Sequence, residues 1–237
     1  MSRSPAFTLG DGGVLSSPGR GLKRGCLVAG AVVLGIAWLV AAADYGMTGH
    51  MAAHMAAVSL AAPLLAVALA GSRWDPATRW PRVVTPLAMS LLELAVVWGW
   101  HLPGARTWVA ADAAGLFLEQ AMFLSAGLLL WSACLGTLDA DSSARRASGV
   151  AAMLLTTMHM TLLGVLVTLA PRTLFGTTGF TCLGVAVAPL VDQQLGGVVM
   201  LLAGGVSYLA GGLLLLSRLL QQSPAGQTVP GVRASPQ

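Results

Sequence analysis

Six apolar runs of about twenty residues, separated by short charged or Gly/Pro-containing links, decide what this chain can become. They are Cys26–Ala43, Met47–Ala70, Val83–His101, Ala110–Leu135, Ala147–Ala170 and Leu195–Leu216. A helix rises about 1.5 Å per residue, so each run nearly or fully crosses a hydrocarbon core of ~30 Å. Backbone in lipid must find its hydrogen bonds inside its own segment, which predicts helices. Charged residues make up only 9% of the chain, against about 25% in a soluble domain. The expected fold is therefore all-α: a polytopic membrane helix bundle of about six transmembrane helices, solvated by membrane lipid.

The chain outside the runs has a different character. Residues 1–22 and 221–237 are rich in Gly, Ser, Pro and Gln without apolar periodicity. They are expected to be disordered tails flanking a bundle over residues 23–220. The first run also reads as a signal peptide, because Lys23 and Arg24 precede it and Ala41-Ala42-Ala43 can end in a cleavage site. Between the last two runs, Leu183–Val191 is too short to cross and is expected to be interfacial or re-entrant.

Orientation follows from counting charges. With the N-terminus inside, eleven of the 13 Lys and Arg residues fall on inner segments, and only Arg106 and Arg172 fall outside. This bias places both termini in the cytoplasm. The basic residues never run longer than two, so the pI near 9.5 signals topology and not a nucleic-acid surface. Cys26, Cys134 and Cys182 have no paired spacing, which gives no support to a disulfide framework or a thiolate metal site. No Walker loop, GxGxxG or GxSxG stretch is present, and nothing suggests turnover of a substrate, so the chain is not expected to be an enzyme.

The polar residues inside the runs carry the functional signal. Met47-Thr48-Gly49-His50-Met51-Ala52-Ala53-His54-Met55 opens the second run. Positions four apart share a helix face, so His50 and His54 form one stripe and Met47, Met51 and Met55 the next. Imidazole with thioether suits a soft metal such as Cu(I). Counted along the helices, His50, His54, His101, His159, Glu93 and Glu119 all fall in the outer half of the membrane or near its midplane. Asp192 stands at the outer start of the last run. Ionisable groups at that depth are costly and mark function, and convergence in one interior site is the economical arrangement. Methionines elsewhere, such as Met89, Met122 and Met153, read as gap-fillers. Glu93 and Glu119 also read as neutral acids bonded across helices.

Five motifs carry a resemblance. They are Gly49–Met55 with Ala62-Pro63; Trp98-Gly99-Trp100-His101-Leu102-Pro103; Leu118-Glu119 with Phe123 and Trp131; Met158-His159 with Leu163-Gly164; and Asp192-Gln193-Gln194-Leu195-Gly196-Gly197. Their content and order, over residues 44 to 216, resemble the polytopic CtaG family of cytochrome c oxidase assembly factors. The resemblance implies a multi-pass protein of the bacterial inner (plasma) membrane that helps build a haem–copper oxidase, handling copper. Its partners would be oxidase subunits or other assembly factors. The family's histidines carry over onto His50, His54, His101 and His159, and its acidic positions onto Glu119 and Asp192. Members often have His where this chain has Gln120, and often a seventh span that is not found here.

The leading expectation is thus a Cu(I) relay or assembly platform. Its ligands would be His50, His54, Met51, Met55, His101 and His159, with Glu93, Glu119, Gln120 and Asp192 supporting them. Asp44, Asp112 and Asp192 would attract copper from outside. Two other readings stand beside it. A membrane b-type cytochrome would use His54 and His159 as axial haem ligands. A small cation or proton transporter, or a structural subunit, would use the glutamates as its path.

Overall fold

The computed structural model describes residues 19–43, 45–137, 143–175, 181–182 and 185–221. It is an all-α bundle. Five helices are long and apolar enough to cross a membrane: α1 (Arg20–Ala42), the second span Gly46–Leu69, α7 (Ala113–Leu135), α8 (Ser143–Leu169) and α9 (Pro189–Gln221). The second span is continuous but not uniform, with α2 (Gly46–Met55) and α3 (Ala62–Leu69) joined by a π-helical segment, Ala56–Ala61. After the one-turn α4 (Pro76–Arg79), the third predicted span is the shorter α5 (Pro86–Trp100), about 22 Å long. It links the inner end of α3 to the outer start of α7, so it must cross. "Outer" here means the side opposite the arginine-rich loops.

Several boundaries differ from those that hydropathy marked. α1 begins at Arg20, inside the stretch expected to be a tail, and carries Arg20, Lys23 and Arg24 on its first turns. The tails before residue 19 and after 221 lie outside the described residues. The fourth run is split: α6 (Pro103–Ala111) is a separate short helix, and Asp112 caps α7 by accepting from Ala114 N at 2.9 Å. Among the described residues of the 172–194 link, Thr181–Cys182 pairs antiparallel with Val185–Ala186, and α9 starts at Pro189. The end of Leu183–Val191 is thus the first turn of the last helix and not a separate interfacial piece.

Two devices hold the bundle. α8 and α9 form the most extensive helix pair, and they can meet closely only because of glycine: a Cβ at Gly197 would lie 2.9 Å from Gly164 O and 2.7 Å from Thr168 N. Small residues at helix contacts permit such approach in lipid. The second device repairs the kinked second span. Pro63 has no N–H to bond the Ser59 carbonyl, and the π segment disturbs its neighbour. Ser207 on α9 donates to Ser59 O at 2.8 Å, and the Trp131 indole on α7 donates to Val58 O at 3.1 Å. The distorted span is thereby fixed between α7 and α9, just below His54.

Candidate metal centre

The centre is built from three chain ends that converge on the outer side. α1 turns into α2 through Gly46, whose φ of 62° is left-handed backbone that suits glycine. α2 is then capped from a distance. Asp192 on α9 accepts from Met47 N at 2.6 Å and Thr48 N at 2.8 Å, satisfying two of the helix's free first-turn donors. Its neighbour Gln193 accepts from Leu174 N at 2.6 Å and donates to Val167 and Arg172 carbonyls. The Asp-Gln motif is therefore a clamp between helix ends. Asp192 is engaged in capping, and Asp112 in its own cap. Asp44 lies outside the described residues.

The clamp sets the rotation of α2. His50 and His54 face α5 and α7, where His101 waits. The Leu102-Pro103 pair holds Leu102 extended, which stops α5 and leaves His101 at its C-cap. The ring centroids of His50 and His101 are 5.6 Å apart, as are those of His54 and His101. One ligand nitrogen from each of the three histidines lies within 4.8 Å of the others, and all three residues are buried. A shared metal at about 2.0 Å from each nitrogen needs them about 3.4 Å apart, so small side-chain movements suffice.

Hydrogen bonding leaves this group open. His101 Nδ1 lies 2.6 Å from the Val97 carbonyl, which can only accept, so the proton sits on Nδ1 and Nε2 keeps its lone pair. His54 stacks on Phe123, with centroids 3.8 Å apart and planes 15° apart, and neither of its nitrogens has a partner. The Nε2 atoms of His50 and His101 are also without partners. Four of the six ring nitrogens are thus buried and unsatisfied. Each such group costs about 1–3 kcal/mol. Buried polar atoms are nearly always paired, so an orphaned cluster points to something that binds there. Buried imidazoles with free nitrogens suit a copper or zinc ion by their chemistry.

The acidic partner is Glu119. Its Oε2 lies 3.5 Å from His50 Nδ1, and its Oε1 accepts from Arg106 Nη1 at 2.8 Å. Arg106 Nη1 also reaches His50 Nδ1 at 3.1 Å. Sequence reasoning assigned Arg106 only to the charge count. Its one signal was position: one of two outer-loop cations, it lies between the spans carrying His101 and Glu119.

Other predicted site residues are placed differently. Met51 and Met55 face α9: a Cβ at Gly196 would lie 3.1 Å from Met51 Cγ, and one at Gly204 would lie 3.6 Å from Met55 Sδ. The methionine stripe is one helix face round from the histidines and fills the α2–α9 contact, so the structure brings neither thioether into the histidine group. His159 is outside the group as well. Thr156, one turn below it, bonds Ser90 at 2.8 Å, which sets His159 about 12 Å deeper than His101. Both its nitrogens are buried without partners. Glu93 lies about 10 Å from the inner end of α5 and accepts from the Tyr208 hydroxyl, far below the histidines. Gln120 is fully buried, with neither amide atom in a regular hydrogen bond. The pairing of His54 with His159 that a bis-histidine haem needs gains nothing from this arrangement, since Phe123 covers the His54 ring.

Residues 20–222 match the family model described as cytochrome c oxidase caa3 assembly factor (Caa3_CtaG). No curated protein and no solved structure matches the chain.

Proposed function

The chain belongs to the cytochrome c oxidase caa3 assembly factor family, and from that premise we propose that it binds Cu(I) at His50, His54 and His101 and presents it to the oxidase during assembly. The observation that carries this reading is the buried three-histidine group with ligand nitrogens within 4.8 Å and most of them unsatisfied. His101 already has the tautomer a ligand needs, fixed by the Val97 carbonyl, an arrangement common around metal-binding histidines. Glu119 supplies a carboxylate beside His50. Met51 and Met55 pack behind the site and are not needed as ligands. The copper is cargo, and the role is to bind and hand on, not to turn over a substrate. The setting is the bacterial inner membrane, with the site open to the outer side, where the partners are oxidase subunits or other assembly factors.

The test is an anaerobic Cu(I) titration of purified protein against a competing chelator. The wild type is expected to take one Cu(I), and a His50→Ala/His54→Ala double variant to bind at least about a hundredfold more weakly. Equal, weak binding by both would remove copper from the reading. A strain lacking the protein, grown with and without added copper, supplies the second readout: rescue of oxidase activity by copper supports delivery.

A further inference from the structure

A cavity of about 300 Å³ reaches the histidine group from the outer side. Its walls include Val40–Ala42 at the end of α1, Tyr45, and Val109–Ala113 between α6 and α7, and at its floor stand His50 and Arg106. Glu119 is fully buried and does not line it. A ligand entering here therefore meets the Arg106 guanidinium alongside the His50 imidazole, with the Glu119 charge behind. Among the described residues, Asp112 is the other charged residue on the wall, and its carboxylate accepts from Ala114 N at the α7 cap. The Arg106 Nε is buried and has no partner, so the guanidinium retains donor capacity that the protein itself does not use.

Arg106 also decides which nitrogen of His50 can bind. A guanidinium only donates. With Arg106 Nη1 at 3.1 Å, His50 Nδ1 acts as acceptor, so the ring proton sits on Nε2. Nε2 is the nitrogen left for a metal, and in this tautomer it has no free lone pair. Ligation needs the proton on Nδ1, where Glu119 Oε2, now 3.5 Å away, can accept it. That exchange requires Arg106 to move off His50.

We infer that Arg106 selects the form in which metal enters: the cavity takes metal delivered with an anionic donor group, such as a carboxylate, thiolate or halide, and admits the bare cation slowly. This rests on the copper reading of the histidine group. The anionic group pairs with the guanidinium and draws it from His50. His50 then gives up the Nε2 proton to water in the cavity and takes one from water on Nδ1, with no net release, and Nε2 is free to receive the metal. Copper stays Cu(I) throughout, and the anionic donor remains on Arg106 until it leaves through the cavity.

Loading rates from two small Cu(I) sources of opposite charge, compared at equal ionic strength, test this on the detergent-solubilised full chain. The probes are the cationic acetonitrile complex and the anionic dichlorocuprate complex. Wild type is expected to load about tenfold faster from dichlorocuprate. Arg106→Gln should abolish the difference by speeding entry of the cation. Arg106→Lys, which keeps the charge, should retain most of the preference. Equal rates from both sources in a wild type that binds Cu(I) tightly would overturn the role of Arg106 and leave the copper site standing. A preference that persists in Arg106→Gln would do the same. A wild type that binds no Cu(I) from either source would overturn both.

Discussion

Two buried polar regions lie within one bundle, and they are built on opposite rules. In the inner half, the main polar contacts join one helix to another. Tyr208 donates to Glu93 and stacks on Trp131, Trp131 bonds the Val58 carbonyl, and Ser207 bonds the Ser59 carbonyl. In the outer half, three imidazoles meet with four nitrogens unsatisfied. Both regions are buried, so burial alone does not separate them. Saturation does. A paired polar group in lipid joins helices, and an unpaired one stands ready for a ligand.

The comparison breaks most sharply at His54. His54→Leu should lower Cu(I) affinity at least about a hundredfold, while the metal-free protein becomes more thermally stable, because two orphaned buried nitrogens are replaced by apolar atoms. Thermal unfolding of the metal-free variant alongside chelator competition checks both halves. A less stable protein would mean that His54 was structural after all. Tyr208→Phe is the converse. It strands Glu93 in the interior and should cost about 1–3 kcal/mol of stability with Cu(I) affinity unchanged. A fall in copper affinity would join the two regions into one functional unit.

Asp192→Ala sharpens the boundary between the classes with a smaller effect. Losing a carboxylate cap on two backbone donors should cost about 1 kcal/mol. Copper affinity should fall only several-fold, because α2 frays at the end that carries His50. Chelator competition at low and high salt separates the clamp from an electrostatic guide. A loss that vanishes at high salt would mean that Asp192 attracts the metal.

Some of this was legible in the residues. Hydropathy marked the spans because lipid allows no unsatisfied backbone, and the arginine bias set their direction. The four-residue repeat placed His50 and His54 on one face, since 3.6 residues per turn leaves no other outcome. The sequence alone thus determined a polytopic bundle with a histidine wall near its outer surface. It did not determine which residues meet that wall, because the rotation of each helix depends on partners distant in the chain. Asp192 turns α2 so that the methionines face α9 and the histidines face His101. Register between α5 and α8 sets His159 a few turns too deep. α6 folds Arg106 back over Glu119 and His50. Only tertiary packing decides such pairings, because one helical residue moves a side chain by about 100° around the axis and about 1.5 Å along it, and local sequence does not specify either displacement between helices.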